Sequence, residues 1–329
     1  MFKDDVEFLQ KYTDVVILSH PSGQAKVAVC PGLQGRVMTS TATGDNGLSF
    51  GWINREFIAS GENNRHFNPF GGEDRFWLGP EGGQFSIFFE KGAPFDLENW
   101  YTPEALNEGA YELVLEEENR VIFKEKMFVE NYSNYEFDLE LTREIRVLDK
   151  SDLTGLIDLP ADSRFVAFQS INKVKNIGEN EWNKRTGMLS IWILGMFNPS
   201  PATTIVIPFK AGSEEDLGFV VNDAYFGKVP PERLVVRDDV LFFSGDGRYR
   251  SKIGISPQRA KPVMGSYDAI NKVLTLVHFT LPEGAADYVN SMWEIQDHPF
   301  AGDAANSYND GPPAPGVAPL GPFYELESS

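Results

Sequence analysis

Apolar residues along this chain recur mostly at every second position. The clearest case is 135–148, Tyr-Glu-Phe-Asp-Leu-Glu-Leu-Thr-Arg-Glu-Ile-Arg-Val-Leu. A period of two predicts a half-buried strand, with Phe137, Leu139 and Leu141 inward and Asp138 and Glu140 outward. Short apolar or β-branched runs predict further strands at 15–19, 25–30, 35–43, 84–90, 111–116, 121–129, 165–171, 189–197, 204–209, 234–236, 240–243 and 272–281. Clusters of Gly, Asn, Asp and Pro separate them. One segment departs from this rhythm. Asp4–Tyr12 has acids in its first turn and apolar residues at Val6, Phe8, Leu9 and Tyr12, which predicts a short helix.

No second helical block, internal repeat or low-complexity linker interrupts the pattern. The alternation of strand and helix that builds a parallel sheet is missing. Gly71-Gly72 and Gly82-Gly83 lack the Lys-Ser/Thr that completes a phosphate loop. The expected architecture is all-β: a single domain over residues 1–329, a large antiparallel β-sandwich with a short N-terminal helix.

Composition narrows the partners. The 329 residues are 42% hydrophobic and 13% aromatic, enough for a sizeable core. The formal net charge of −19 repels phosphate backbones and anionic bilayers, so neither nucleic acid nor a membrane is an expected partner. A neutral or cationic small ligand fits that field. The single cysteine, Cys30, lies among apolar neighbours and reads as a buried strand thiol. No metal-finger spacing and no cofactor motif is present, so neither metal nor cofactor is expected. The N-terminus lacks the apolar core of a signal peptide, which points to the cytoplasm for the sequence as it stands. A trimmed leader would allow the periplasm.

Four polar constellations carry candidate chemistry. The first, 62–84, places Arg65, His66, Asn68, Glu73, Asp74, Arg75, Trp77 and Glu81 in a glycine-punctuated stretch. Arginine offers a rigid fork to hydroxyl oxygens and tryptophan a stacking face, although a structural ion-pair loop has the same composition. The second holds Asn172 and Asn176, which also suit a plain turn. The third holds Arg250 and Lys252, which also suit a solvated hairpin. The fourth is C-terminal, with Glu294, Asp297, His298, Asp303, Asn306, Asn309, Asp310, Glu325 and Glu327 between turn formers. Carboxylates, amides and aromatic rings together suit a polyhydroxylated ligand, and they equally suit a surface loop. Of the four histidines, His20 reads as structural and His278 as a core residue, leaving His66 and His298 for acid–base work. No nucleophile elbow is present.

Across nearly all of its length the chain resembles the galactose mutarotase-like superfamily, the aldose 1-epimerases and their relatives. The likeness rests on Pro31-Gly-Leu-Gln-Gly-Arg-Val-Met-Thr-Ser40, on Gly71-Gly-Glu-Asp-Arg-Phe-Trp77 and on a late acidic strand. It implies a cleft for a mono- or oligosaccharide and epimerisation by a glutamate base and a histidine acid. Two glutamates compete for the base: Glu327 in Tyr324-Glu-Leu-Glu-Ser328, favoured by position, and Glu294 in Trp293-Glu-Ile-Gln-Asp-His-Pro299. His66 or His298 would be the acid. Asn68, Glu73, Arg75, Trp77, Asn172, Lys252, Asn306, Asn309, Asp310 and Glu325 would hold the sugar. Epimerases carry their acid histidine at an Asn-x-x-His-like strand end. Here the matching region reads Ser170-Ile-Asn-Lys-Val-Lys-Asn176, without histidine, which implies a divergent bacterial branch. Sugar binding without turnover explains the missing histidine, and paired carboxylates keep glycoside hydrolase or lyase chemistry open.

Overall fold

A computed structural model describes residues 1–160, 162–284 and 287–329. The chain divides into two compact units, residues 1–78 with 85–191 and residues 79–84 with 192–329. Both are built of antiparallel strands, so the all-β class holds.

The first unit opens with helix α1 (Phe2–Leu9). Asp4 and Asp5 in its first turn complement the helix dipole. It buries Phe2 and Leu9 and stops short of Tyr12, which is exposed. Leu9 packs with Cys30, Leu33, Met38 and Ile58. Three strands follow, β1 (Val16–Ser19), β2 (Lys26–Cys30) and β3 (Arg36–Thr41), hydrogen-bonded in that order. Cys30 is buried at the end of β2, and burial pushes its thiol up to about 12. Next come β4 (Arg75–Gly79) and a second sheet of β5 (Glu112–Glu116), β6 (Arg120–Glu130), β7 (Glu136–Val147) and β8 (Phe168–Asn176), again in chain order.

Strand β7 follows the predicted period. Phe137, Leu139, Leu141, Ile145 and Val147 are buried, and the same inward series contains Arg143, which is fully buried. Its guanidinium donates to Gly35 O at 3.0 Å, Asn172 Oδ1 at 2.7 Å and Asp74 O at 3.0 Å, and pairs with the Asp74 carboxylate. A charge in an apolar phase thus ties β8 and two loops to β7.

The predicted strand at 84–90 is not formed. That run is turn and bend, while extended structure occupies 75–79, which the pattern leaves as loop. Ile87, Phe88 and Phe89 are buried consecutively rather than alternately. Phe88 stacks on Trp100 with centroids 5.7 Å apart and lies 5.4 Å from Trp77, so the apolar run serves aromatic packing instead of strand pairing.

The second unit contains β9 (Ser190–Phe197), β10 (Thr203–Pro208), β11 (Leu234–Arg237), β12 (Val240–Ser244), β13 (Ser251–Ile255), β14 (Val263–Asp268), β15 (Val273–His278), β16 (Ala305–Asn309) and β17 (Tyr324–Ser328). One sheet runs β11-β12-β10-β14-β15, and another carries β13-β16-β17-β9 side by side. Ile205, Ile207, Leu241, Phe243 and Met264 from the first meet Phe197, Ile253, Ile255, Tyr324 and Leu326 from the second in one core. Each such side chain contributes roughly 1.5–3 kcal/mol on burial.

Two expectations change here. The segment around Lys252 is not a solvated hairpin; all five residues of β13 are buried. His278 is not a core residue; it lies with Leu274 and Leu276 on the exposed series of β15. Among the described residues, no helix is long and apolar enough to cross a membrane.

Candidate functional site

Four strands of the second unit build the site. The register aligns Gly254, Asn306, Glu327 and Leu194 in one cross-strand row, and Lys252, Tyr308, Glu325 and Met196 in the next. Residues two apart on a strand share a face, so Lys252, Asn306, Tyr308, Glu325 and Glu327 all project to one side. Trp192, two before Leu194, joins them. The opposite side of β13, β16 and β17 carries Ile253, Ile255, Ala305 and Leu326 into the core. One apolar face anchors the strands, and the polar face is buried as well.

At its centre Glu327 is fully buried. Its Oε2 accepts from Lys252 Nζ at 2.9 Å and Trp192 Nε1 at 3.0 Å. Its Oε1 is buried and, among the described residues, has no hydrogen-bond partner. A buried carboxylate oxygen is normally satisfied, so one saturated oxygen beside one open oxygen calls for an explanation. Lys252 is caged: Nζ lies 4.7 Å from the Trp192 ring centroid and 5.4 Å from that of Tyr225. Burial alone would lower its ammonium, but Glu327, Glu81 and Glu325 outweigh it and hold Lys252 above its ordinary value.

A second polar group flanks the pair. Tyr225 donates its hydroxyl to Asp303 Oδ2 at 2.6 Å, and Asn306 Nδ2 reaches the Tyr225 oxygen at 3.2 Å. Burial pushes the Asp303 carboxyl up, and burial together with Asp303 raises the Tyr225 phenol. Gly254 makes room for this group: a Cβ there would stand 2.0 Å from Asp303 Oδ2. Tyr308 donates to Asp310 Oδ1 at 2.7 Å, and Gly321 N to Asp310 Oδ2 at 3.0 Å. Among the described residues, no group of three or more His, Cys, Asp or Glu is placed to hold a metal ion.

The other candidates are distributed as follows. Asn309 serves a turn, donating to Tyr249 O at 2.9 Å and accepting from Gly247 N at 2.8 Å. Glu294 and His298 are exposed on the loop before β16. Asn68, Glu73, Arg75, Trp77, Asn172 and His66 belong to the first unit. Asn68 spends its amide on its own loop and on the short helix 104–107, accepting from Asn64 N at 2.7 Å and donating to Asn63 Oδ1 at 2.9 Å and Asn107 O at 3.0 Å. Glu73 accepts from the backbone and hydroxyl of Ser40. The Arg75 guanidinium lies 4.4 Å from the Trp77 centroid and 5.2 Å from that of Phe67. Asn172 holds Arg143, and His66 donates from Nδ1 to Trp100 O at 2.6 Å and stacks on Tyr101.

The sequence pattern singles out neither Trp192 nor Tyr225. Trp192 sits in an unbroken apolar run that reads as core, and Tyr225 in a turn-rich loop. Only the Glu-x-Glu of 325–327, which sends two carboxylates to one side of a strand, signals the site.

A single family model runs through residues 1–329. The chain belongs to DUF6786. It is a family of unknown function. A comparison of this DUF6786 chain with curated proteins found no match in sequence. Among solved structures it is similar to a galactose mutarotase-like protein from Lactobacillus casei, with 9% identity, 96% of this chain and 87% of that chain covered, and a TM-score of 0.50. The Slr1438 protein of Synechocystis sp. matches at 14% identity, over 96% and 86%, with a TM-score of 0.49. A galactose mutarotase related enzyme from Lactobacillus acidophilus matches at 11% identity, over 96% and 85%, with a TM-score of 0.44. The DUF6786 chain has the galactose mutarotase-like fold, in a branch far diverged in sequence.

Proposed function

We propose that this protein binds a sugar at the polar face of β13, β16 and β17 and interconverts its anomers, with Glu327 as the base. One observation carries the reading. Glu327 is fully buried, Lys252 and Trp192 saturate its Oε2, and among the described residues its Oε1 has no hydrogen-bond partner. Lysine and indole fix the carboxylate, and the open oxygen is the one that can take a hydroxyl proton. The surrounding set suits a polyhydroxylated ring: an amide at Asn306, carboxyls at Asp303 and Glu325, and the rings of Trp192 and Tyr225. The fold supports the same reading by analogy only.

The test is anomer exchange of freshly dissolved aldoses, followed by NMR with and without protein. Acceleration that Glu327→Gln abolishes supports the assignment. Acceleration lost in Glu294→Gln and kept in Glu327→Gln overturns it.

A second reading, sugar binding without turnover, has its own support. Both histidines of the second unit, His278 and His298, are exposed. If no sugar exchanges faster than in buffer while a sugar still raises the melting temperature, this second reading stands.

A further inference from the structure

We propose that Glu81 is the second carboxyl of this site and delivers the proton that the missing histidine would supply. The proposal rests on reading Glu327 as the base. Glu81 lies in residues 79–84, which belong to the second unit and dock on its 290–296 loop. Glu81 N donates to Ser291 Oγ at 3.1 Å, Gln84 Nε2 to Gln296 O at 2.8 Å, and Gln296 N back to Gln84 Oε1 at 3.0 Å. Gln296 Nε2 in turn holds Asn290 O at 2.9 Å and Met292 O at 2.8 Å.

The glycine pair makes this fit possible. A Cβ on Gly82 would stand 2.3 Å from Met292 O, and one on Gly83, at φ +81°, would stand 2.6 Å from Gln296 Nε2. Backbone therefore packs directly on backbone and amide, and the residue before the pair is held in place. That residue is a half-buried glutamate whose carboxyl accepts from the Trp293 side chain and lies within electrostatic reach of Lys252 and Glu327. Burial pushes the Glu81 carboxyl above its ordinary range against the pull of Lys252, and Glu327 adds to the rise. A carboxyl that holds its proton more tightly than usual, beside a glutamate ion-paired to lysine, sets an acid next to a base.

The step balances without any co-reactant. Glu81 gives its proton to the ring oxygen of a cyclic aldose while Glu327 Oε1 takes the proton of the anomeric hydroxyl. The bond from C1 to the ring oxygen breaks, its electron pair goes to that oxygen, and C1 becomes an aldehyde carbonyl. After rotation about C1–C2, closure returns the hydroxyl proton to Glu81 and the Glu327 proton to the carbonyl oxygen.

The test uses the full chain with α-D-glucose and α-D-galactose and compares Glu81→Gln, Glu81→Asp and Glu327→Gln. Glu81→Gln should slow exchange on the order of 10²- to 10⁴-fold. It should also remove the limb of the wild-type profile on which the rate falls as pH rises, and keep the rise in melting temperature that sugar produces. Glu81→Asp should recover part of the rate and show that the fold is intact. If Glu81→Gln exchanges near the wild-type rate with that falling limb unchanged while Glu327→Gln is inactive, Glu81 is not the donor and the Glu327 reading survives. If the wild-type protein accelerates neither sugar, both readings fall.

Discussion

Lys252 Nζ and Glu327 Oε2 meet at 2.9 Å, 75 residues apart in the chain, with side chains 10% and 0% exposed. Removing one partner of a buried pair leaves the other charged and desolvated, which costs about 3–5 kcal/mol. Lys252→Met should therefore destabilise the protein by about that much in chemical denaturation. Glu327→Gln added to it should recover part of the loss, because no bare charge remains. A Lys252→Met loss below about 1 kcal/mol would mean that the pair behaves as a solvated one.

A comparable pair pins the first unit, and its cause is easier to trace. Arg143 occupies an inward position of β7 and spends its donors on Asp74, Asn172 and Gly35. Arg143→Met fills similar volume but takes the cation away from the Asp74 carboxylate, which keeps the Ser170 hydroxyl at 2.7 Å, so a loss of about 3–5 kcal/mol is expected. Arg143→Met with Asp74→Asn should be milder, since a neutral amide replaces the stranded charge. Urea titrations of the two single variants and the double variant check the coupling. Purely additive losses would show that Arg143 acts through packing alone.

These two pairs mark how far the sequence could be read. Strand β7 was legible because its apolar residues alternate, yet the same alternation hides Arg143: a charge in the inward phase looks like a break in the pattern. Strands β13 and β16 were illegible for a related reason. Ser-Lys-Ile-Gly-Ile and Ala-Asn-Ser-Tyr-Asn are buried on both sides, and one side buries polar groups, so no contrast survives in the sequence. Glu327 was found because Glu325 and Glu327 share a phase in a short strand. Trp192 and Tyr225 were not, because the hydrogen bond and ring contacts that give them meaning come from distant residues, Glu327 lying 135 positions from Trp192 and Lys252 27 from Tyr225.

Gly254 tests whether the Asp303 group belongs to the working site. Alanine there would place Cβ 2.0 Å from Asp303 Oδ2 and 2.8 Å from Asn306 Nδ2. Asp303 must swing away and release the 2.6 Å bond from Tyr225. The core side of β13 is untouched, so the loss of stability should stay near that of one or two hydrogen bonds, about 1–3 kcal/mol. The rise in melting temperature produced by sugar should shrink or vanish. A folded Gly254→Ala protein with an undiminished response to sugar would remove the Asp303 group from the binding face.

Glu73 gives the pH dependence a sign. It is buried in the first unit, and burial raises its carboxyl from 4.5 to about 7 despite the hydrogen bonds it accepts from the backbone and hydroxyl of Ser40 and from Thr39 and Gly51. Between these values the folded chain keeps a proton that the unfolded chain releases. Stability must then fall as pH rises through that window, by on the order of 3 kcal/mol if Glu73 acted alone. The cost is complete above about 7 and absent below 4.5. Glu73→Gln has nothing to titrate, and its amide can still accept from Ser40 N. Urea titrations at several pH values should therefore give a variant-minus-wild-type stability difference that grows with pH from about 4.5 to 7. A difference that shrinks over that range would mean the folded chain holds Glu73 as a stabilised carboxylate, the reverse of what its burial dictates.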